Sequence, residues 1–206
     1  MDEGAHIRLY QAWKQFVDTG LLDRQVVRPV VAESWMRCRA RGINPYRLRR
    51  EDRLTGGELD QLFSQNRALI ELSRPFIGEL NSFLQGTGFL TALCDADGYL
   101  LALVGDEDIL HYAAVLGDQP GAYWGEERVG TGAISTCLIT GEPLQVVGPE
   151  HYFADHHTWA CSGSPIRGSG TIIGALAVSG PLSAAHQHTL GMTILAAKAI
   201  ETAWRV

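Results

Sequence analysis

The stretch F-L-T-A-L-C-D-A-D-G-Y-L-L-A-L-V (residues 89–104) sets two short apolar runs, 89–95 and 99–104, on either side of the turn Asp95-Ala96-Asp97-Gly98. A glycine free to take positive φ between two β-prone runs predicts an antiparallel hairpin. The arrangement returns downstream, where the runs 161–167 and 171–179 flank Gly168-Ser169-Gly170, and 144–147 reads as one more strand. Between the hairpins, helical spacing is expected over 108–116, closed by Gly117, and over 131–140, closed by Gly141, with a loop at 117–130. After them, 186–204 carries Leu190, Ile194, Ala197 and Ile200 near one face of a long helix.

Upstream of residue 86 the period is that of helices. Leu9, Trp13, Phe16 and Val17 share a face over 5–17, and Val27, Val31, Trp35 and Cys38 share one over 27–41, with Gly42 and Pro45 as stop signals. From 57 to 85 an amphipathic helix is expected, kinked or divided at Pro75 because proline removes an interior hydrogen bond. The fold class is therefore α/β in the α+β sense: an antiparallel sheet flanked by helices, preceded by an all-helical segment and ended by a long helix. The expected division is a helical N-terminal segment at 1–84, a sheet domain at 85–183 laid out more like a sensor than an enzyme, and a C-terminal signalling or linker helix at 184–206.

Composition bounds what such a chain can do. With 206 residues, 46% of them hydrophobic and 19% charged, it can bury a sizeable core and is not disordered overall. No apolar run approaches the roughly 18 residues of a membrane span. Met1 is followed by Asp2 and Glu3, unlike a secretory leader, so a cytoplasmic location is expected. Cys38, Cys94, Cys137 and Cys161 are far apart, which suggests neither a disulfide framework nor a zinc ribbon. The net charge of −6 hides a split: residues 1–82 hold 13 Lys and Arg against 11 Asp and Glu, residues 83–206 hold 4 against 12. Arg37, Arg39, Arg41, Arg47, Arg49, Arg50 and Arg53 form a basic cluster with Glu33, Glu51 and Asp52 close by. Few aromatics interleave with these arginines and the remainder is acidic, so a surface for partners or domain packing is expected, with no direct nucleic-acid binding.

Three ordered segments and one upstream element carry a family resemblance. W-G-E-E-R-V-G-T-G-A-I-S-T (124–136), E-H-Y-F-A-D-H-H-T-W-A-C-S-G-S-P-I (150–166) and S-G-P-L-S-A-A-H-Q-H-T-L (179–190) resemble the GAF domain of acetoin and glycerol catabolism regulators, which are sigma-54-dependent bacterial transcriptional activators. E-S-W-M-R-C-R-A-R-G-I-N-P (33–45) is similar to the element preceding that domain. Departures exist: the family's G-T-N-A-I-G-T has Gly132 and Ser135 in place of its Asn and second Gly, and its S-A-A-P-I reads Ser162-Gly163-Ser164-Pro165-Ile166. The resemblance implies a sensor that binds a small uncharged metabolite (a ketone, diol or alcohol) and signals through flanking helices, which would pair in a homodimer. In the full-length protein an AAA+ ATPase and a helix-turn-helix would follow; this sequence contains no G-x-x-x-x-G-K-[ST]. The alternative is an interaction module whose effector is a partner protein, such as a metabolic kinase subunit.

Large aromatics in loops need something to cover, which singles out Tyr123, Trp124, Phe153 and Trp159. Thr131 sits at a helix start whose backbone N–H groups could hold a carbonyl oxygen or simply be capped, and Ile134 follows it. His157 could donate at a pocket mouth, and Cys161 lies nearby in sequence. The candidate ligand-binding set is thus Tyr123, Trp124, Thr131, Ile134, Phe153, His157, Trp159 and Cys161. His151, His156, His157, Asp155 and Cys161 have metal-ligand residue types, yet adjacent His156 and His157 diverge in any regular element, so no metal or other cofactor is expected. Cys161 beside His157 raises the question of a nucleophile. No G-x-S-x-G or resolving cysteine accompanies it, so no catalytic residue and no enzyme are expected. His186 and His188 suit a capping or surface role.

Overall fold

The computed structural model describes residues 3–47 and 53–205; Arg49, Arg50, Glu51 and Asp52 of the basic cluster lie outside the described residues. Strands β1 (Leu90–Asp95), β2 (Leu100–Gly105), β3 (Leu144–Val147), β4 (Trp159–Gly168) and β5 (Thr171–Pro181) form one antiparallel sheet in the order β2-β1-β5-β4-β3. Both expected hairpins are present. In the first, Gly98 has φ 92° and the Asp95 carboxylate accepts from the amides of Asp97 (3.1 Å) and Tyr99 (2.8 Å). In the second, Ser169 (φ 52°) and Gly170 (φ 87°) both take the left-handed region that a two-residue turn between twisted strands requires.

The sheet's alternation assigns its two faces. Leu93, Ile166, Leu176 and Val178 point to helices α4 (Arg67–Leu84) and α8 (Gln187–Trp204), which cover one side with Leu69, Ile77, Leu80, Ala197 and Ile200. The opposite face carries Leu90, Ala92, Cys94, Ala175 and Ala177, and α7 (Ala133–Thr140) packs there with α5 (Glu107–Val115). Gly163 of β4 lets α7 come close, since a Cβ there would lie 2.6 Å from the Ala133 carbonyl oxygen. A short helix, α6 (Glu126–Val129), forms inside the stretch expected to be a loop. The His186 imidazole caps α8 by accepting from the amide of His188 at 3.1 Å.

The expected helix over 57–85 is divided, but at Asn66 rather than at Pro75. Helix α3 (Gly57–Gln65) ends where both the amide and the side-chain amide of Asn66 donate to the Leu62 carbonyl (3.1 and 3.0 Å), and α4 starts afresh. Pro75 sits within α4 on its exposed side, as does Glu71, whose carbonyl loses its amide partner to the ring. Helices α1 (Glu3–Thr19) and α2 (Pro29–Ala40) make a third cluster, in which Leu9, Trp13, Phe16, Val31, Trp35 and Cys38 pack as their spacing predicts.

On β5, a Cβ at Gly174 would stand 2.5 Å from the Cys94 carbonyl oxygen and 2.8 Å from Leu69 of α4. Gly174→Ala is therefore expected to destabilise the chain by about 1–3 kcal/mol through overpacking, read as a lower denaturant midpoint.

Candidate functional site

Helix α2 is strapped to the sheet domain through a buried carboxylate. Glu126 has no exposed side-chain surface, and its oxygens accept from Ser34 Oγ (2.6 Å), Arg37 Nε and Nη2 (both 2.7 Å) and Arg41 Nη1 (3.2 Å). The Ser34 hydroxyl also lies 2.6 Å from Thr131 Oγ1. The 33–45 element and the 124–136 segment thus meet face to face. Arg41 reaches Glu127 as well (3.1 Å), and Arg39 turns back to the Phe16 and Val17 carbonyls at the end of α1. Three arginines of the basic cluster are therefore engaged within the chain, in domain packing, while Arg53 bonds Gln119.

The connector between β3 and β4 is held in the same way. Glu150 forms a two-pronged pair with Arg28 (2.5 and 2.8 Å) and accepts from the Val147 amide (2.9 Å). The indole of Trp35 donates to the Glu150 carbonyl (2.8 Å), and that of Trp13 to the Tyr152 carbonyl (3.0 Å). Two tryptophans on two helices thereby fix the segment that carries His151 and His156.

Between this connector, α5, α7 and the sheet lies a cavity of about 80 Å³. That is room for several waters or one small organic molecule. Its floor is open because the sheet contributes small side chains there, Ala177, Ser179 and Cys161, and its walls are Tyr112, Leu116, Trp124, Val129, Ile134 and Trp159. Polar groups are few and mostly engaged. Asp118 accepts from the Trp124 indole (2.8 Å), and Ser135 Oγ donates to the Gly130 carbonyl (2.8 Å) while accepting from the Gly132 amide (3.0 Å). Ser135 thus caps α7 from its third position, which gives the departure at Gly132 and Ser135 a structural role.

His151 lines the cavity and is 1% exposed. Its Nδ1 lies 3.0 Å from the Gly148 carbonyl oxygen, which can only accept, so Nδ1 carries the proton. Burial, with His156 and His157 nearby, pushes this imidazole down to about 3, and it is neutral near pH 7. Its Nε2 is then a bare acceptor, and it has no partner among the described residues.

Of the eight residues singled out in the sequence, Trp124, Ile134, Trp159 and Cys161 line this one cavity. The other four serve elsewhere. Tyr123 packs on Tyr99 (5.0 Å) and donates to Glu127 (2.9 Å); Thr131 faces Ser34 across the α2 contact. Phe153 is buried beside Gly130 and His156, and His157 meets Trp13 edge-on at 4.4 Å while donating from Nε2 to the His151 carbonyl (3.2 Å). The cavity adds Tyr112, Asp118, Ser135, His151, His156 and Ser179. The histidine-rich run could have pointed to His151 and His156, and the Gly-to-Ser departure to Ser135. Nothing in the local sequence marks Asp118 or Ser179.

Burial pushes the Cys161 thiol up to about 11 and those of Cys38 and Cys137 to about 12, so these sulfurs stay protonated, unlike an activated nucleophile. Among the described residues no group of three His, Cys, Asp or Glu side chains is placed to hold a metal. Among the described residues no helix is long and apolar enough to cross a membrane.

The sheet, its flanking helices and the cavity belong to a chain whose relatives are transcriptional activators. The chain belongs to the family of MimR N-terminal domains, which it matches over residues 7–201. It is 36% identical over 192 residues to the acetoin dehydrogenase operon transcriptional activator AcoR of Bacillus subtilis, covering 93% of this chain and 32% of that protein. It is 31% identical over 162 residues to the propane 2-monooxygenase operon transcriptional activator MimR of Mycolicibacterium smegmatis, covering 76% and 26%. The chain thus spans about a third of the curated relatives it matches. Its fold is similar to a chain in the crystal structure of the E. coli DhaR(N)-DhaL complex, with a TM-score of 0.83 at 20% identity over 86% of this chain and 60% of that one.

Glu126→Gln is expected to cost on the order of 2 kcal/mol, below the range for a fully buried pair because Arg37 and Arg41 keep 31% and 42% of their side-chain surface exposed. Chemical denaturation with hydrogen exchange in α2 measures both the loss and its location. A second expectation concerns pH. His151 is pushed down to about 3, and His156 and His157 to about 4, chiefly by burial. Below pH 6.5 the unfolded chain takes up protons that the folded chain refuses, so stability falls as pH drops from about 6.5 to 4. Denaturant midpoints across that window should decline continuously, and less steeply in His157→Phe.

Proposed function

We propose that this chain is the sensing module of a sigma-54-dependent activator and binds one small uncharged metabolite in the cavity beside Trp124. The observation that carries the reading is the cavity itself: about 80 Å³, floored by Ala177, Ser179 and Cys161 and closed by two tryptophans. A mostly apolar site with few polar handles suits a ketone, diol or alcohol of a few carbons. Occupancy reaches α2 because the segments that wall the cavity, 124–135 and 151–161, are those gripped by Ser34, Arg37, Trp13 and Trp35. A ligand acts by favouring one packing of these helices over another. The division into a helical segment (1–84), a sensor (85–183) and a signalling helix (184–206) belongs to this proposal. So do a homodimer, a cytoplasmic setting, an output made of an AAA+ ATPase and a helix-turn-helix, and the absence of catalysis.

A second reading is favoured by one observation. A solved structure with a similar fold is a complex, DhaR(N) with DhaL. Here Phe83 and Leu195, each 72% exposed, stand on a groove between α4 and α8. On this reading the effector is a partner protein and the cavity is only a packing defect.

Thermal shift and tryptophan emission with 3-hydroxybutanone, butanone, butane-2,3-diol and glycerol separate the two. Binding is expected to raise stability by about 2.7 kcal/mol at a hundred times Kd. The variant Ala177→Leu, which fills the floor, should lose that gain while remaining folded. If no compound shifts the midpoint, the small-molecule reading is wrong.

A further inference from the structure

We infer that His151 is the polar anchor of the cavity and that its Nε2 accepts a hydrogen bond from a hydroxyl of the bound molecule, so that the site selects short neutral alcohols and diols over compounds offering a carbonyl alone. This rests on the small-molecule reading above and narrows its ligand class. Of the wholly buried side-chain polar atoms without a partner among the described residues, Nε2 of His151 is the one that belongs to a residue lining the cavity. An acceptor left bare in an apolar enclosure costs as much as a lost hydrogen bond, and a ligand that donates to it recovers that cost.

The tautomer is fixed by the protein. Gly148 can only accept, which holds the proton on Nδ1 and leaves the lone pair on Nε2. The ring cannot turn to exchange these roles without breaking that bond. Its backbone is held on both sides: the His151 amide donates to Gly148 (3.0 Å), and its carbonyl accepts from His157, which is itself wedged against Trp13. The Trp124 indole is engaged with Asp118 and the Ser135 hydroxyl with the Gly130 carbonyl, while the Tyr112 hydroxyl and the His156 imidazole can donate to the oxygen of an alcohol as well as to that of a ketone. Cys161 and Ser179 face each other in register across β4 and β5. The requirement that separates the two ligand classes is the donor that Nε2 of His151 lacks. A ketone of the same shape would fill the volume and leave Nε2 bare.

The test is a four-carbon pair of equal size, butan-2-ol and butanone, titrated into the whole chain by calorimetry and tryptophan emission. For the unaltered protein, butan-2-ol should bind at least about tenfold more tightly than butanone, the ratio that one buried hydrogen bond supports. In His151→Phe the two should bind within about twofold of each other, and in His151→Gln, whose side-chain carbonyl can accept, part of the preference should return. Should His151→Phe fail to fold, the ratio in the unaltered protein and in His151→Gln decides. Equal binding of alcohol and ketone to the unaltered protein overturns the anchor while leaving a small-molecule sensor standing. So does a preference that survives in His151→Phe, or a crystal structure in which a water occupies Nε2 and the alcohol lies elsewhere. If neither compound, nor butane-2,3-diol, binds at all, the anchor and the small-molecule reading fall together.

Discussion

A carboxylate without access to water persists in a folded chain only where its charge is matched and its oxygens are bonded. At Glu126 both needs are met from α2, by Arg37, Arg41 and the Ser34 hydroxyl. Much follows from this one cluster. It fixes the rotation of α2, which in turn sets Trp35 over the β3–β4 connector and Arg28 against Glu150. It also places Thr131, and with it the start of α7, at a set distance from the N-terminal helices. Without Glu126, α1 and α2 would keep the apolar contacts of Trp13, Phe16 and Trp35, the two indole hydrogen bonds and the Arg28–Glu150 pair, and would lose the buried charge that fixes α2 against α6.

The fold was legible where a rule acts locally. The turns at Gly98 and Gly170 follow from the positive φ each requires, and the helical faces of α1 and α2 from spacing. The break at Asn66 was not, because a proline is the louder signal. Its effect depends on whether the lost bond faces water, whereas the asparagine acts through two hydrogen bonds to one carbonyl. The site was half legible. Trp124, Ile134, Trp159 and Cys161 share the cavity, while Thr131 bonds to Ser34 and His157 packs on Trp13, partners about a hundred residues or more away in sequence. No local pattern reports a partner at that separation. The arginine cluster shows the same limit: its composition suggested packing or partners, and only the fold assigns Arg37, Arg39 and Arg41 to specific acceptors.

The departures from the family motifs acquire a physical account. Where an asparagine side chain would stand at the start of α7, Gly132 has none, and Ser135 supplies the cap from one turn further on. Gly163, in place of alanine, removes the Cβ that would press on the Ala133 carbonyl. The first change sets how α7 begins, and the second how closely it approaches β4. This helix start is also a wall of the cavity, so the shape of the enclosed space and the capping of α7 are a single structural problem.

The alternation along β5 has a consequence for how such a domain can change over generations. Ala175 and Ala177 look into the compartment beneath α7, while Leu176 and Val178 look into the helical layer formed by α4 and α8. Neighbouring codons therefore govern two separate properties, what the enclosed space admits and how firmly the outer helices are held. Selection can enlarge, shrink or repolarise the chamber by substitutions at Ala177 and Ser179 and leave the opposite layer intact. On the small-molecule reading proposed above, a lineage is in this way retuned to a new chemical cue without rebuilding the apparatus that responds to it.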